Sequence, residues 1–209
     1  MRSTPHYLEI EVKFHLLKVE RMHKRLLELG AAAGPESFET NLRFENPAGT
    51  LKNSDRLLRL RKDGACRLTF KERPANQTGE CKTYHELEVE VSDFDTMTAI
   101  LNALGFTPVQ RYDKLRRIFT WQDVEICIDT MPFGTFMEIE GPEESIKATA
   151  ELLELPWEHR ILANYLSIFE LLRKNHHWSF NDVTFENFAS FSVDITHYLP
   201  DLWAEPAVH

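Results

Sequence analysis

The sequence predicts an α+β chain whose strand-rich sheet closes on itself with helices packed outside. Three observations carry this. Apolar and polar residues alternate strictly over several short segments, the signature of strands with two unlike faces. Segments at helical spacing fall between them, two of which end at a glycine. A strand–helix–strand pattern also occurs twice, beginning near residues 8 and 86. In each copy an acidic alternating strand leads to a helix ending in "LLELG" or "ALG", and then to a strand carrying arginine. Two similar halves close a sheet naturally, and closure removes its edges.

The elements follow in order. "LEIEVKF", residues 8–14, sets Leu8, Ile10, Val12 and Phe14 against Glu9, Glu11 and Lys13. Residues 17–29 read as a helix with an apolar stripe of Met22, Leu26 and Leu29 and a stop at Gly30. Strands at 36–46 and 56–62 flank the turn-rich "NPAGTLKNSD". A strand at 66–72, a polar loop at 73–81 and a strand at 85–91 come next. Residues 93–104 return to helical spacing, with Ser92 placed as the N-cap and Gly105 after the end. Strands are expected at 108–121, 124–130 and 135–140, and helices at about 143–153 and 160–174. Tyr165, Leu166, Phe169 and Leu172 give the last helix an apolar stripe for packing on the core, or for a plug that lends Arg173 or Lys174 to a site.

With 209 residues, the chain holds one sizeable core or a domain with an appendage. The natural division is 1–177 and 178–209, because the last 32 residues contain no Lys or Arg and are rich in aromatics. Such a tail packs back on the core, acts as a lid or makes an oligomer contact, and the sequence leaves all three open. A net charge of −9 argues against global attraction to a nucleic acid polymer or an anionic membrane. No apolar run is long enough to span a bilayer, and the first residues show no apolar signal core. Cys66, Cys81 and Cys127 form no C-x-x-C pair, so a reducing cytoplasm is expected. There is no G-x-x-x-x-G-K-[ST] loop, hence no P-loop.

The charged strand faces carry the chemistry. Any single one reads as the wet side of an antiparallel sheet. As a set they sort by sign. Acids dominate Glu9–Glu11, Glu86–Glu88–Glu90, Glu125–Asp129 and Glu138–Glu140, while bases dominate Arg59–Arg61 and Lys114–Arg116. Like charges across a ladder are destabilising unless counter-ions sit between them. Inside one barrel, a single ligand explains both clusters. Phosphates need several cationic side chains, arginine above all, and Mg²⁺ or Mn²⁺ needs carboxylate oxygens. An acidic wall beside a basic wall describes a metal–polyphosphate site.

In this setting "EIEVK" at 9–13 resembles the Glu-x-Glu-x-Lys signature of the CYTH superfamily, the triphosphate tunnel metalloenzymes. "LRLR" at 58–61, "LTFKE" at 68–72, "ELEVEV" at 86–91, "KLRR" at 114–117 and "DTMPFGTFMEIEG" at 129–141 follow in the family's order. The resemblance spans roughly residues 7–172. It implies an eight-stranded antiparallel barrel with a charged lumen, often dimeric, acting on a small-molecule triphosphate with Mg²⁺ or Mn²⁺. By position, Glu9, Glu11, Asp129, Glu138 and Glu140 resemble metal ligands. Lys13, Arg59, Arg61, Lys71, Lys114 and Arg116 resemble the triphosphate clamp, and Glu86, Glu88 and Glu90 the acidic wall. The catalytic set it implies is Glu9, Glu11, Lys13, Glu138 and Glu140. One departure stands out. Where members often read Asp-x-Tyr-Phe-Asp, this chain reads "NLRFE", Asn41 to Glu45, with Arg43 in place of the aromatic.

The reaction these residues imply is metal-dependent hydrolysis of a triphosphate, releasing orthophosphate. The alternative is a class IV-type adenylate cyclase forming cyclic AMP and pyrophosphate from ATP in the same site. A third reading, a sensor that binds polyphosphate without turnover, explains the basic residues but not the acids.

Overall fold

The computed structural model describes residues 8–75 and 79–204. The N-terminal stretch read for a signal, the middle of the polar loop and the last five residues of the tail lie outside the described residues. Eight antiparallel strands form a closed ring: β1 (Leu8–His15), β2 (Ala32–Glu45), β3 (Arg56–Lys62), β4 (Cys66–Glu72), β5 (Lys82–Val91), β6 (Thr107–Trp121), β7 (Val124–Met131) and β8 (Gly134–Glu140). Their order around the ring is β1-β5-β4-β3-β2-β6-β7-β8. Consecutive hairpins supply most of the neighbours. Three pairings join strands distant in sequence: β1 with β5 and β2 with β6, copy against copy of the internal repeat, and β1 with β8, which closes the ring.

Helices α1 (Val19–Glu28), α3 (Phe94–Ala103) and α4 (Glu143–Leu152) cover the outside of the ring. Val12, Phe14, Ile126, Ile139 and Met137 turn outward and are buried with Leu26 of α1 and Ile146 and Ala150 of α4. Phe44 and Leu60 are buried with Leu101 of α3. Apolar burial under these three helices therefore lies outside the barrel, which turns the other face of these strands toward the lumen.

The structure differs from the sequence reading mainly at element ends. β2 begins at Ala32 because its long partner β6 continues the ladder to Ala32↔Thr120, past an irregularity between Ala33 and Glu36. β5 begins at Lys82, where it pairs with Glu11 of β1. The turn-rich segment contains a short helix, α2 (Thr50–Asn53), started by the Glu45 carboxylate accepting from the N–H groups of Leu51 and Lys52. The cap of α3 is Asp93, not Ser92, with its carboxylate accepting from the Thr96 N–H at 2.7 Å. The last long helix, α5 (Tyr165–His176), starts five residues later than expected because Asn164 caps it, accepting from the Ser167 N–H at 2.8 Å. Asn164→Ala is expected to lower stability by about 1 kcal/mol, read from the urea unfolding midpoint. An unchanged midpoint would show that packing alone holds α5.

The tail packs back on the barrel through α5, together with the short helices α6 (Phe185–Phe188) and α7 (Leu199–Leu202). Trp178, Val183, Phe188 and Ile195 are buried with Ile168, Phe169 and Leu172 of α5. The physical reason lies in the sheet. The β6–β7 ladder stops at Leu115↔Thr130, so the first half of β6 lacks a neighbour on that side. Val183 takes the place, donating to the Arg111 carbonyl and accepting from the Asp113 N–H at 2.8 and 2.9 Å. Among the described residues, no helix is long and apolar enough to cross a membrane.

Candidate active site

Strand register brings the charged faces together. On β1, Glu11 lies opposite Lys82 of β5 and Glu140 of β8, and Lys13 lies opposite Glu138. Across the ring, Arg59 lies opposite Thr69, Lys71 opposite Glu86, and Lys114 opposite Glu39. These faces enclose a cavity of about 1160 Å³. It is lined by Glu9, Glu11, Lys13, Arg59, Arg61 and Lys71, by Glu86, Glu88, Lys114 and Arg116, and by Glu138 and Glu140.

Two expected residues are placed differently. Glu90 is exposed beyond the end of the acidic row, opposite Arg67, and does not line the cavity. Asp129 is fully buried behind the basic wall. Its oxygens accept from Lys114 at 3.0 Å, from Arg116 Nε at 2.6 Å and from the Tyr165 hydroxyl at 2.9 Å. With its lone pairs taken, Asp129 serves as a counter-charge to the clamp. The resemblance implies a metal ligand at Asp129; in this structure its oxygens are engaged by the clamp and by Tyr165.

The structure also brings in residues that the sequence reading missed. Glu39 is 1% exposed and sits 3.3 Å from Lys114 and 3.8 Å from Arg116. Lys82 holds Glu11 at 2.9 Å. Both were within reach, because extending the alternation of β2 back from Arg43 and of β5 back from Glu86 puts them on the lumen face. Tyr165 had no such signal. It enters from α5, and Lys13 lies over its ring at 4.2 Å.

The lumen is a lattice of interleaved pairs. Lys13 holds Glu138, and Lys71 holds Glu9 and Glu86. Arg116 bridges Asp129 and Glu138, and Arg59 and Arg61 reach Glu88 at 3.7 and 3.5 Å. Burial would raise the Glu138 pKa, but Lys13 and Arg116 hold it well below the usual range. Burial would likewise raise Glu11, and Lys82 overcomes this to leave it at about 2. Two carboxyls go the other way. Burial pushes Glu9 to about 8 against the pull of Lys71, with Glu11 and Glu86 adding to the rise. Burial takes Glu140 to about 7, opposed by Lys71 and reinforced by Glu11 and Glu125.

These acids bear on the implied divalent ion. Among the described residues, no three His, Cys, Asp or Glu side chains form a ready cage, because lysines stand between the carboxylates. Yet Glu140 lies directly opposite both Glu11 and Glu125 on its two ladders. That is a local excess of negative charge made of hard oxygen donors, the kind Mg²⁺ or Mn²⁺ takes. Glu11 and Glu140, with Glu125 beside them, offer such donors, and Glu9 and Glu138 line the same cavity.

Glu39 gives a pH test. Burial would raise its pKa, but Lys114 and Arg116 hold it at about 2 against an ordinary 4.5. A folded value below the unfolded one stabilises the fold above about pH 4.5, and that contribution is lost as pH falls toward 2. Its size is on the order of 3 kcal/mol. Wild type is expected to exceed Glu39→Gln by about this much in urea unfolding at pH 7, with the gap closing steadily below about pH 4. A gap equal at pH 7 and pH 3 would show that the charge is not the source.

Comparison with known proteins agrees with this geometry. A family model described as the CYTH domain matches residues 7–174. A Methanocaldococcus jannaschii protein, provisionally named an adenylate cyclase, is 28% identical over 149 residues, covering 70% of this chain and 84% of that relative. A Vibrio parahaemolyticus structure, also provisionally named an adenylate cyclase, superposes with a TM-score of 0.69 at 20% identity, over 78% of this chain and 98% of its own. A Hippeastrum structure provisionally named an adenylyl cyclase and described as revealing a dominant triphosphatase activity gives a TM-score of 0.55 at 20% identity, over 78% and 95% of the two chains. The two structures share the fold with this chain.

Proposed function

Because this chain belongs to the CYTH domain family, we propose that it is a metal-dependent hydrolase that removes orthophosphate from a small-molecule triphosphate inside its barrel. The observation that carries this is the interleaving of Lys13–Glu138, Lys71–Glu9 and Lys82–Glu11. Each pair is ready to be exchanged. A triphosphate takes the cations, and the released carboxylates take a divalent ion. Either ligand alone leaves buried charges uncompensated, which is costly.

Lys13, Lys71, Lys114, Arg59, Arg61 and Arg116 fix the phosphate chain from several sides. Phosphoryl transfer asks mainly for such positioning and charge stabilisation. Glu9, Glu11, Glu138 and Glu140 would hold a divalent ion, which would supply charge neutralisation and acidify water. Asp129 and Tyr165 hold Lys114 and Arg116 in place from behind. Water attacks the terminal phosphorus, the bond to the bridging oxygen breaks, and the shortened chain leaves from the clamp while the transferred group departs as orthophosphate, the water's proton passing to solvent.

The cyclase reading is favoured by the name of the M. jannaschii relative. The cavity supports hydrolysis better, because its aromatic rings are already engaged. Lys82 lies over Tyr84 at 4.9 Å, Lys13 and Lys114 lie over Tyr165, and Tyr112 is buried in the apolar cluster of α5. Each ring therefore already carries a protein partner that a stacked base would have to share or displace. A sensor without turnover gains nothing from the acids on β1 and β8.

The test incubates the protein with tripolyphosphate, ATP and thiamine triphosphate in turn, with Mg²⁺ or Mn²⁺, and resolves the products by chromatography. Orthophosphate release that stops on chelation is expected. Cyclic AMP with pyrophosphate would establish the cyclase instead, and tight binding without products would establish the sensor.

A further inference from the structure

Four of the cations that line the cavity make no ion pair among the described residues. Arg43 near the end of β2, Lys52 of α2, Arg73 just after β4 and Lys174 in the last turn of α5 all line the same cavity. The end of β2, the start of β3 and the end of β4 lie together because these strands are antiparallel neighbours. None of the four makes an ion pair among the described residues, unlike the clamp cations further in. Arg43 is the most committed of them. It is half-buried, faces the lumen opposite Arg59 and Gln110, and its buried Nε has no hydrogen-bond partner. Glu45, two residues on, turns its carboxylate to the N–H groups of α2 instead.

This basic mouth is not a consequence of overall composition. Thirteen of the chain's 24 lysines and arginines line the cavity with only nine acids, in a protein of net charge −9. The inner clamp has matching acids. The mouth has Asp55 and Glu170 among its lining, and Glu170 is taken by Arg173 at 2.8 Å. An unpaired guanidinium next to Arg59 continues the clamp outward, and a row of cations beyond it suits an anion that extends past the inner site.

Resting on the hydrolase reading, we propose that the mouth built around Arg43 selects linear phosphate chains longer than three units, and that Arg43 is a specificity-determining residue for them. The chain end lies in the inner clamp, and the additional phosphates pass Arg43 and continue between Arg73 and Lys174. A nucleoside at the same place would offer these cations no charge.

The experiment measures tripolyphosphate, tetrapolyphosphate and ATP in two ways, as kcat/KM with metal and as Kd by calorimetry without it. One added charge-assisted contact predicts a preference of about tenfold for tetrapolyphosphate over tripolyphosphate in wild type. The preference is expected to fall to near unity in Arg43→Gln and to shrink as salt rises. The double variant Arg73→Gln/Lys174→Gln changes only exposed side chains, so a reduced preference there cannot come from misfolding. Equal handling of both chain lengths by wild type, or a preference that both variants keep, would overturn the proposal. So would an ATP preference that Arg43→Gln abolishes, because the mouth would then read a nucleoside. Absence of hydrolysis with every substrate would overturn the hydrolase reading alone, since the calorimetric preference reports the mouth directly.

Discussion

Glu138→Gln is expected to cut turnover by about two to three orders of magnitude while the KM for tripolyphosphate stays level or falls. The two halves of this result have different origins. Glu138 is one of the four acids that would hold a divalent ion, and its loss removes a charged oxygen donor from that set. It also holds Lys13 and Arg116, and both are clamp cations. Gln releases them from a competitor that a triphosphate must otherwise displace. Arg59→Ala should show the opposite split, with KM raised at least tenfold and kcat less affected, because Arg59 is a cation that the acids hold only loosely, at 3.7 Å. Steady-state kinetics at saturating Mg²⁺ or Mn²⁺ separates the two variants. Full activity of Glu138→Gln under these conditions would remove the residue from the catalytic set.

The fold was legible because nearly every strand announces both faces. Alternation such as Leu8 to Phe14 fixes which side chains look inward, and ring closure then forces the inward faces to meet. The candidate site inherits this clarity for Glu9, Glu11, Lys13, Arg59, Lys114 and Glu138. What the sequence hid is of two kinds. Where a strand outran its own alternation because a partner extended it, as at Glu39 and Lys82, the pairing strand held the information. Where a residue enters from outside the ring, as Tyr165 does, no strand pattern points to it. Asp129 shows the limit of reading faces alone. Its side is correct, but Lys114, Arg116 and Tyr165 take its oxygens, and only the packed side chains reveal that.

Asp129→Ala is expected to cost about 3–5 kcal/mol of stability, the largest effect of any single lumen substitution. Asp129 is fully buried and is shared by Lys114, Arg116 and Tyr165. Its removal takes the nearest counter-charge from two buried cations and the acceptor from a buried hydroxyl, and desolvation leaves water unable to replace it. Arg116 would still reach Glu138 and Glu39, but Lys114 would keep only Glu39 at 3.3 Å. Urea unfolding with and without EDTA distinguishes this role from metal ligation. A counter-charge gives the same loss under both conditions, because the cations it balances belong to the protein. A metal ligand gives a loss that appears only when the ion is present. Asp129→Asn sharpens the comparison, since it keeps the size and one acceptor but drops the charge. It should recover little of the lost stability, because the charge and not the shape holds the basic wall together.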